Sequence, residues 1–369
     1  MRDARSSSGL FAQATMRAWT LAFILRGVCP FIAGACLVLA CGPPPRAQST
    51  AATTWTVSIV LPARLVAGQL ATLAVLGVDG RLADGITVDL GNGQRVKTDK
   101  TGRAFFTVPA DALVLIASAA GNSAAALIDA PATVTGEQAA TVAPVVSQVD
   151  RFSVCGGGFR GDVDANRASI NGERAFVLAS SPECIVVLAS PRALPGPAKI
   201  LIETPGGQWS ATTTLASLHF DPPLPPLVPE KRSKLALHVQ GTDQALRVWV
   251  ENQTPGVLRF LRGDRQEVLT SGGPQNSAEI EVQAVATGDF SFHGRILGAP
   301  DAGVARRYLT AAEGIAPKDL QRVVKNLSDR LTHHPGDTQK VWRDTEAILS
   351  TTMAGDFRTL MECAAAALQ

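Results

Sequence analysis

The chain has 369 residues, a formal net charge of +2 at pH 7 and 18% charged residues. A chain of this length is expected to form about two to four domains of ordinary size. Its near-neutral charge gives no support for nucleic acid as a partner, and an aromatic content of 5% argues against a sugar-binding platform of stacked rings.

Residues 1–41 have the pattern of a secretory signal. Arg17 and Arg26 precede or flank an uncharged apolar run at 27–40 that ends in small residues, as expected for the positive and apolar regions of a signal peptide. The run is shorter than the ~20 residues that a membrane-spanning helix needs. Met16 is an alternative start to Met1.

The end of this leader carries a candidate lipidation site. Residues 38–41 read Val-Leu-Ala-Cys, and a glycine and three prolines follow. This sequence resembles the bacterial lipobox, which implies that Cys41 becomes the lipidated first residue of the mature chain, with 42–54 as a tether. Cleavage near 47–51, or retention of the leader as an anchor, is the alternative.

Residues 55–130 alternate short apolar runs with turn signals such as Asp-Gly and Asn-Gly. The runs lie at 55–60, 70–77, 86–90, 104–108, 112–118 and 124–128. Strands of this length and spacing predict a β-sandwich. The segments 67–81 and 86–109 also resemble the bacterial immunoglobulin-like (Ig-like) repeats of surface proteins, and the resemblance implies no catalytic residue.

Residues 144–220 show the same punctuated pattern, which predicts a small antiparallel sandwich. The characteristic segments are Gly156–Phe159, Ile170–Gly172, Ser181-Pro182, Pro195–Pro197 and the strand-like Ile200–Glu203. These segments resemble the IPT/TIG family of Ig-like domains. Because they consist mostly of turn residues, the resemblance implies a fold rather than an activity.

The cysteines also suit an exported protein. Of the six cysteines, Cys155 and Cys184 lie in the TIG-like segment, each next to a strand. In an exported domain this pair predicts a disulfide, and two unpaired buried thiols are the alternative. Cys363 is expected to be a buried thiol in a C-terminal helix.

The Pro-rich segment 221–230 predicts a stiff spacer and the clearest domain boundary in the chain. Beyond it, residues 233–298 contain five runs in which apolar and polar residues alternate. Alternation of period two places one face of each strand in a core. A third β-sandwich is therefore expected at 233–298.

The apolar period changes to that of helices in 301–369. One helix is expected to begin at Pro317, a second to run from Asp337 to about Ser350, and a third to include Phe357 and Leu368. These helices must cover their apolar stripes against one another, against the third β unit or against a partner.

One loop has oxygen ligands at the spacing of a calcium site. Asp162, Asp164, Asn166 and Glu173 occupy positions 1, 3, 5 and 12 of such a loop. Position 6 requires a glycine for the sharp turn, and here it is Arg167. An ordinary solvated loop is therefore the favoured interpretation.

Other short motifs also favour structural interpretations. The Arg-Gly-Asp tripeptide at 262–264 lies between two alternating runs, where Gly-Asp is turn chemistry. His333 and His334 precede a proline in a connection between helices, without further ligands at metal spacing. The sequence contains no recognisable nucleophile elbow or metalloprotease motif.

The sequence thus predicts a mainly β protein, with serial Ig-like β-sandwiches and a short C-terminal α-helical segment. We expect a non-enzymatic adhesion, binding or scaffolding protein of the cell envelope, without cofactor or metal. Its expected partner is a protein or glycan at the cell surface, with membrane contact only through a lipid anchor and no nucleic acid. The alternatives are an accessory subunit that docks through its helices and an auxiliary module of a glycan-active enzyme.

Overall fold

The computed structural model describes residues 57–131, 139–221, 228–261 and 265–369. Cys41, both candidate start methionines, the Arg-Gly-Asp tripeptide and most of the Pro-rich segment lie outside the described residues. Within the described ranges the chain is mainly β, with Ig-like sandwiches followed by helices. None of the described helices combines the length and the apolar character needed to cross a membrane.

The first unit (57–131) consists of two facing sheets. Its described strands are β1 (Ser58–Val60), β2 (Arg64–Val66), β3 (Leu70–Leu76), β4 (Thr87–Asp89), β5 (Arg95–Lys97), β6 (Arg103–Thr107), β7 (Val114–Ala119) and β8 (Asn122–Asp129). Strands β1, β3 and β6 belong to one sheet, and β2, β8, β7, β4 and β5 form the other. Buried side chains from both sheets, including Leu65, Leu73 and Phe106, form the core between them, as in an Ig-like sandwich.

The second unit (139–221) repeats this architecture. Its strands are β9 (Val145–Ser147), β10 (Arg151–Cys155), β11 (Arg167–Ile170), β12 (Glu173–Ser180), β13 (Cys184–Leu188), β14 (Gly196–Thr204) and β15 (Gly207–Phe220), with a 3₁₀ helix at Val163–Ala165. The first half of β12 pairs with β11 and its second half pairs with β13. The pairing register shifts between Val177 and Ala179, so one bulged strand contributes to both sheets.

The glycine-rich segment and the Asn-Gly pair of the second unit have specific packing roles. Gly158 has φ +78°, and a Cβ there would lie 2.6 Å from the ring of Trp209. That ring packs edge-on against Phe159 with centroids 5.6 Å apart. Asn171 (φ 51°) and Gly172 (φ 85°) form the tight turn between β11 and β12, because both residue types accept left-handed backbone.

The expected disulfide is present between Cys155 and Cys184. The two residues face each other on the antiparallel strands β10 and β13. The bond therefore links two strands of one sheet. Cys363, in contrast, is a free thiol.

The third unit (228–297) is a smaller sandwich. Its described strands are β16 (Arg232–Gln240), β17 (Arg247–Asn252), β18 (Leu258–Phe260), β19 (Arg265–Leu269), β20 (Ser277–Ala284) and β21 (Phe292–Ile296). Strands β16, β20 and β18 form one sheet, and β19, β17 and β21 form the facing one. Leu237, Val248 and Ile280 are among the buried residues between them.

The strands on either side of the Pro-rich segment pair with each other. Residues 217–220 at the end of β15 pair antiparallel with 237–240 of β16. This pairing joins the second and third units in one sheet. Because β15 has 14 residues, it is long enough to belong to both units.

The C-terminal region (301–369), all of it described, contains four helices where the sequence predicted three. They are α1 (Ala302–Ile315), α2 (Lys318–His333), α3 (Thr338–Leu349) and α4 (Asp356–Leu368). The unpredicted α1 buries Ala305, Tyr308, Leu309 and Ala312, and two alanines give a weak apolar signal. Pro317 precedes α2 as its capping residue instead of occupying its first turn.

The helices cover their apolar stripes against one another and against the first unit. Leu127 of β8 is buried among helical side chains, and Val114 and Ile116 of β7 pack against the same cluster. Arg307 of α1 donates to Asp129 Oδ1 at 2.6 Å and to the main-chain oxygen of Ile128 at 2.7 Å. The helices thus cover one another as expected, and the β unit that covers them is the first one, through β7 and β8, and not the third.

The first and second units also share an interface. Val60, Ala74, Leu178, Ala179 and Val186 form a buried cluster between them. Ser180 of β12 pairs with Thr72 of β3, which joins sheets of the two units. Residues Thr53–Gln369 accordingly form one compact unit by their contacts.

Candidate binding groove

A polar groove of about 600 Å³ lies where the outer face of β11 and β12 meets β6 of the first unit. Strand alternation determines which side chains face it. Arg167 and Ser169 of β11 point outward, while the intervening Ala168 is buried in the core. On β12, Arg174 and Phe176 are exposed on either side of the buried Ala175.

The pairing register brings these side chains together. Ser169 is the direct partner of Arg174, and Arg167 is the direct partner of Glu203 on β14. Residues directly opposite on one face of a sheet have Cβ atoms about 5 Å apart. The groove therefore combines two guanidinium groups, a hydroxyl, a carboxylate and the ring of Phe176, which is 52% exposed.

Arg103 forms the wall contributed by the first unit. Its Nη1 atom lies 3.3 Å from Asp164 Oδ1, and its Nη2 atom donates to the main-chain oxygen of Val177 at 2.7 Å. Its Nε atom is buried and has no hydrogen-bond partner among the described residues. The Arg103 side chain is only 16% exposed, so this guanidinium group holds the two units together beside the groove.

Arg167 and Arg174 differ from Arg103 because both are exposed and uncommitted. Within the described part of the chain, the ion pair between Arg103 and Asp164 is the only one formed by a groove residue. The guanidinium groups of Arg167 and Arg174 therefore keep their donors available for a ligand.

The loop with calcium-like spacing forms one end of the groove. The Asp162 carboxylate accepts the main-chain N–H of Asp164 at 3.0 Å and so caps the 3₁₀ helix. The buried Asn166 accepts from the Arg160 main-chain nitrogen at 3.0 Å and donates to Ser180 Oγ at 3.0 Å. These hydrogen bonds stabilise the loop itself.

The two disulfide cysteines and the adjacent histidines lie outside the groove. Cys155 and Cys184 are on β10 and β13, which contribute no lining residue. His333 is in the last turn of α2, and its Nδ1 atom lies 2.8 Å from the main-chain oxygen of Asp329. His334 ends that helix, so the pair forms the expected connection between helices.

Sequence reasoning missed the groove, although one signal was present. Arg167 and Ser169 precede the Asn-Gly turn at 171–172, and Arg174 and Phe176 follow it. A hairpin with that turn places both outward pairs on one face. The contribution of Arg103 has no local signal, because that residue precedes the hairpin by more than sixty positions.

No protein-family model matches the chain, and no curated protein matches it. Solved structures give matches with low TM-scores. The extracellular region of plexin A4 matches with a TM-score of 0.25 and 11% identity, over 68% of this chain and 24% of that one. The N-terminal four Ig domains of Dscam1 match with a TM-score of 0.20 and 10% identity, over 62% of this chain and 72% of that one.

A third match is SGBP-B of the Bacteroides ovatus mixed-linkage glucan utilization locus, in complex with a mixed-linkage heptasaccharide. Its TM-score is 0.18 at 12% identity, over 70% of this chain and 63% of that one. This chain thus spans less than two thirds of that protein and about a quarter of plexin A4. Scores this low carry no argument about function.

Proposed function

We propose that this chain is a non-enzymatic binding protein of the bacterial cell envelope, and that it holds an acidic glycan in the groove between its first two units. The observation that carries the proposal is the pair of exposed, unpaired guanidinium groups of Arg167 and Arg174 beside the exposed ring of Phe176.

The chemistry of these side chains suits a sugar that bears carboxylate or sulfate groups. A guanidinium group presents a planar fork of donors that matches the two oxygens of such an anion. The ring of Phe176 offers an apolar surface for the C–H face of a sugar. Ser169, the direct partner of Arg174, adds a hydroxyl that both donates and accepts.

A glycan fits this face better than an extended peptide does. Strand β11 is paired with β12 on one side and with β14 on the other. A peptide cannot add there as a further strand, so it would lose the main-chain hydrogen bonds on which that mode of peptide binding depends. Sugar hydroxyls, in contrast, bind through side chains and water.

The envelope location rests on the sequence. Its support is the signal-like leader at 1–41, the lipobox-like residues that end at Cys41 and the Pro-rich tether in 42–54. The Cys155–Cys184 disulfide suits an oxidising compartment. The assignment of 55–130 as a bacterial Ig-like repeat and of 144–220 as an IPT/TIG domain is part of the same proposal.

The alternative functions have less support. Docking through helices needs an apolar helical face, but the first unit already covers the main stripe of 301–369. Ile315 (49% exposed) and Val323 (42% exposed) remain accessible there. A glycan-active enzyme needs paired carboxylates, whereas in the groove Asp164 pairs with Arg103 and Glu203 lies opposite Arg167.

The test is calorimetric titration of the purified protein with oligogalacturonates and with neutral gluco-oligosaccharides of equal length. We expect binding of the acidic series only, weakened by salt. The R167Q/R174Q variant should lose about 10-fold in affinity for each charged hydrogen-bonding group removed. The control is R259Q, because Arg259 is an exposed arginine on the third unit that bonds to Gln283.

Three results would overturn the proposal. They are equal affinity for neutral and acidic sugars, unchanged binding by R167Q/R174Q, and binding of an acidic peptide such as oligoglutamate in preference to every glycan.

A further inference from the structure

The sequence contains two Asn-Gly pairs, and the structure holds their side chains in different ways. Asn92-Gly93 lies in the turn between β4 and β5, and Asn171-Gly172 lies in the turn between β11 and β12. Both pairs are exposed. Asparagine is a thermolabile residue, because the main-chain nitrogen of the next residue can attack its side-chain carboxamide. A glycine in the next position has no Cβ to obstruct that attack.

The Asn92 carboxamide is folded back over the main chain that follows it. Its Oδ1 atom accepts the main-chain N–H of Gln94 at 2.9 Å, which is the arrangement of an Asx-turn. The ring closed by this hydrogen bond contains the Gly93 peptide, so the carboxamide is held beside the Gly93 nitrogen. Within the described part of the chain, neither that nitrogen nor Asn92 Nδ2 has a hydrogen-bond partner. The nucleophile and the leaving group are therefore both free to react.

The hydrogen bond from Gln94 also stabilises the charge that develops during the attack. When the Gly93 nitrogen adds to Asn92 Cγ, the Oδ1 atom becomes an oxyanion. A donor that already points at this oxygen lowers the barrier. Because the reacting groups belong to adjacent residues, the reaction also needs no encounter between two molecules.

Asn171, in contrast, is fixed to a neighbouring strand. Its Oδ1 atom accepts the main-chain N–H of Lys199 at 2.8 Å, and its Nδ2 atom donates to the main-chain oxygen of Pro197 at 3.1 Å. Both partners belong to β14, so the two ends of the carboxamide are bonded to that strand. Attack by the Gly172 nitrogen first requires these hydrogen bonds to break, which should slow the reaction by at least about 10-fold.

We propose that Asn92 is a site of spontaneous deamidation in the folded protein, and that the fold protects Asn171 from the same reaction. The Gly93 nitrogen loses its proton to solvent base and forms a bond to Asn92 Cγ. The Cγ–Nδ2 bond then breaks, and Nδ2 takes up a proton from water and leaves as ammonia, so that a five-membered succinimide remains. Water opens this ring at either carbonyl and gives an aspartyl or an isoaspartyl linkage at position 92.

The product changes the turn in two ways. Either form carries a carboxylate in place of the amide, which lowers the formal net charge by one from +2 and repels Asp89, the partner of Arg95 at 3.1 Å. The isoaspartyl form also adds a methylene to the main chain between Leu90 and Gln94, whose 2.9 Å hydrogen bond closes the turn. The modification should therefore loosen the turn between β4 and β5.

The experiment is incubation of the purified protein at 37 °C at pH 7.0 and pH 9.0, followed by proteolysis and peptide mass spectrometry. Replacement of the amide by a carboxyl group raises the peptide mass by one dalton, so both sites are measured in the same sample. We expect Asn92 to react at least about 10-fold faster than Asn171, and faster at pH 9.0 because the Gly93 nitrogen must lose a proton. In urea that unfolds the protein, the two rates should converge because the hydrogen bonds of Asn171 to β14 are lost.

Two matched variants make the result specific. Gly93 and Gly172 have φ +81° and +85°, with open space around both, so G93A and G172A introduce similar backbone strain. G93A should slow the reaction of Asn92 by at least about 10-fold, because a Cβ then stands beside the attacking nitrogen, whereas G172A should leave that rate unchanged. Circular dichroism checks that both variants fold.

Three results would overturn the proposal. They are reaction of Asn171 as fast as Asn92 in the folded protein, equal rates at Asn92 in G93A and the wild type, and reaction of Asn92 at least about 10-fold slower in the folded protein than in urea.

Discussion

Removal of the Cys155–Cys184 disulfide should destabilise the second unit by a calculable amount. The two cysteines are 29 positions apart. In the chain-entropy description, a loop of that size restricts the unfolded state by an amount equivalent to about 3.6 kcal/mol at 25 °C. Cys184 is fully buried, so its replacement also removes some packing. We therefore expect C155A/C184A to lose about 3–5 kcal/mol.

Urea unfolding without reductant measures this loss. The fluorescence of Trp209 reports on the second unit because its ring packs against Phe159. Reduced wild type should unfold at nearly the same urea concentration as C155A/C184A. The control is C363A, which removes a free thiol, keeps the disulfide and should therefore lose as much stability on reduction as the wild type does. A loss below about 1 kcal/mol in C155A/C184A would refute the reasoning, because the loop would then not be constrained by the bond.

Three further predictions concern interfaces and burial. G161A should lower the free energy of unfolding, measured by urea titration, by more than the ~1–3 kcal/mol of ordinary overpacking, because the new Cβ would lie 1.8 Å from a main-chain oxygen of β3. The control is G206A, whose new Cβ would have its nearest contact at 3.4 Å. This variant should leave the free energy of unfolding unchanged. R307A should lower the free energy of unfolding by about 1–3 kcal/mol, because it removes two hydrogen bonds to the first unit. The control is R306A, at the exposed neighbouring position. Equal losses in the two variants would contradict this prediction. Burial raises the pKa of the Cys363 thiol to about 11. The stability that the neutral thiol contributes is complete below pH 9.0, the ordinary pKa of a thiol, and is lost as pH rises through 11. Between pH 9 and pH 11 the free energy of unfolding of C363A should therefore fall less steeply than that of the wild type. Identical pH profiles of the two proteins would contradict this prediction.

Local sequence patterns predicted much of the fold. The Asn171-Gly172 pair marked a tight turn because its backbone requires two left-handed residues. The alternation of apolar and polar residues in β16 and β17 agrees with the burial of Leu237 and Val248 in the third core. These features depend on neighbours within a few positions, and for that reason they are readable from the chain.

Features that depend on distant residues were not predictable in the same way. Alternation places Val114 and Ile116 on the outer face of their sheet, and only the packed structure shows that helices cover them. The pairing of β15 with β16, which joins the second and third units, likewise has no local signal in the sequence. The groove needs Arg103 from another unit, and no pattern in the sequence links that residue to Arg167.

The most direct test of the proposed function is an NMR titration of the ¹⁵N-labelled protein with an oligogalacturonate. The account predicts amide shift changes at Arg167–Phe176 and around Glu203, where the groove residues lie, and their absence in R167Q/R174Q. Shift changes confined to the third unit or the helices, or none at saturating sugar, would contradict it.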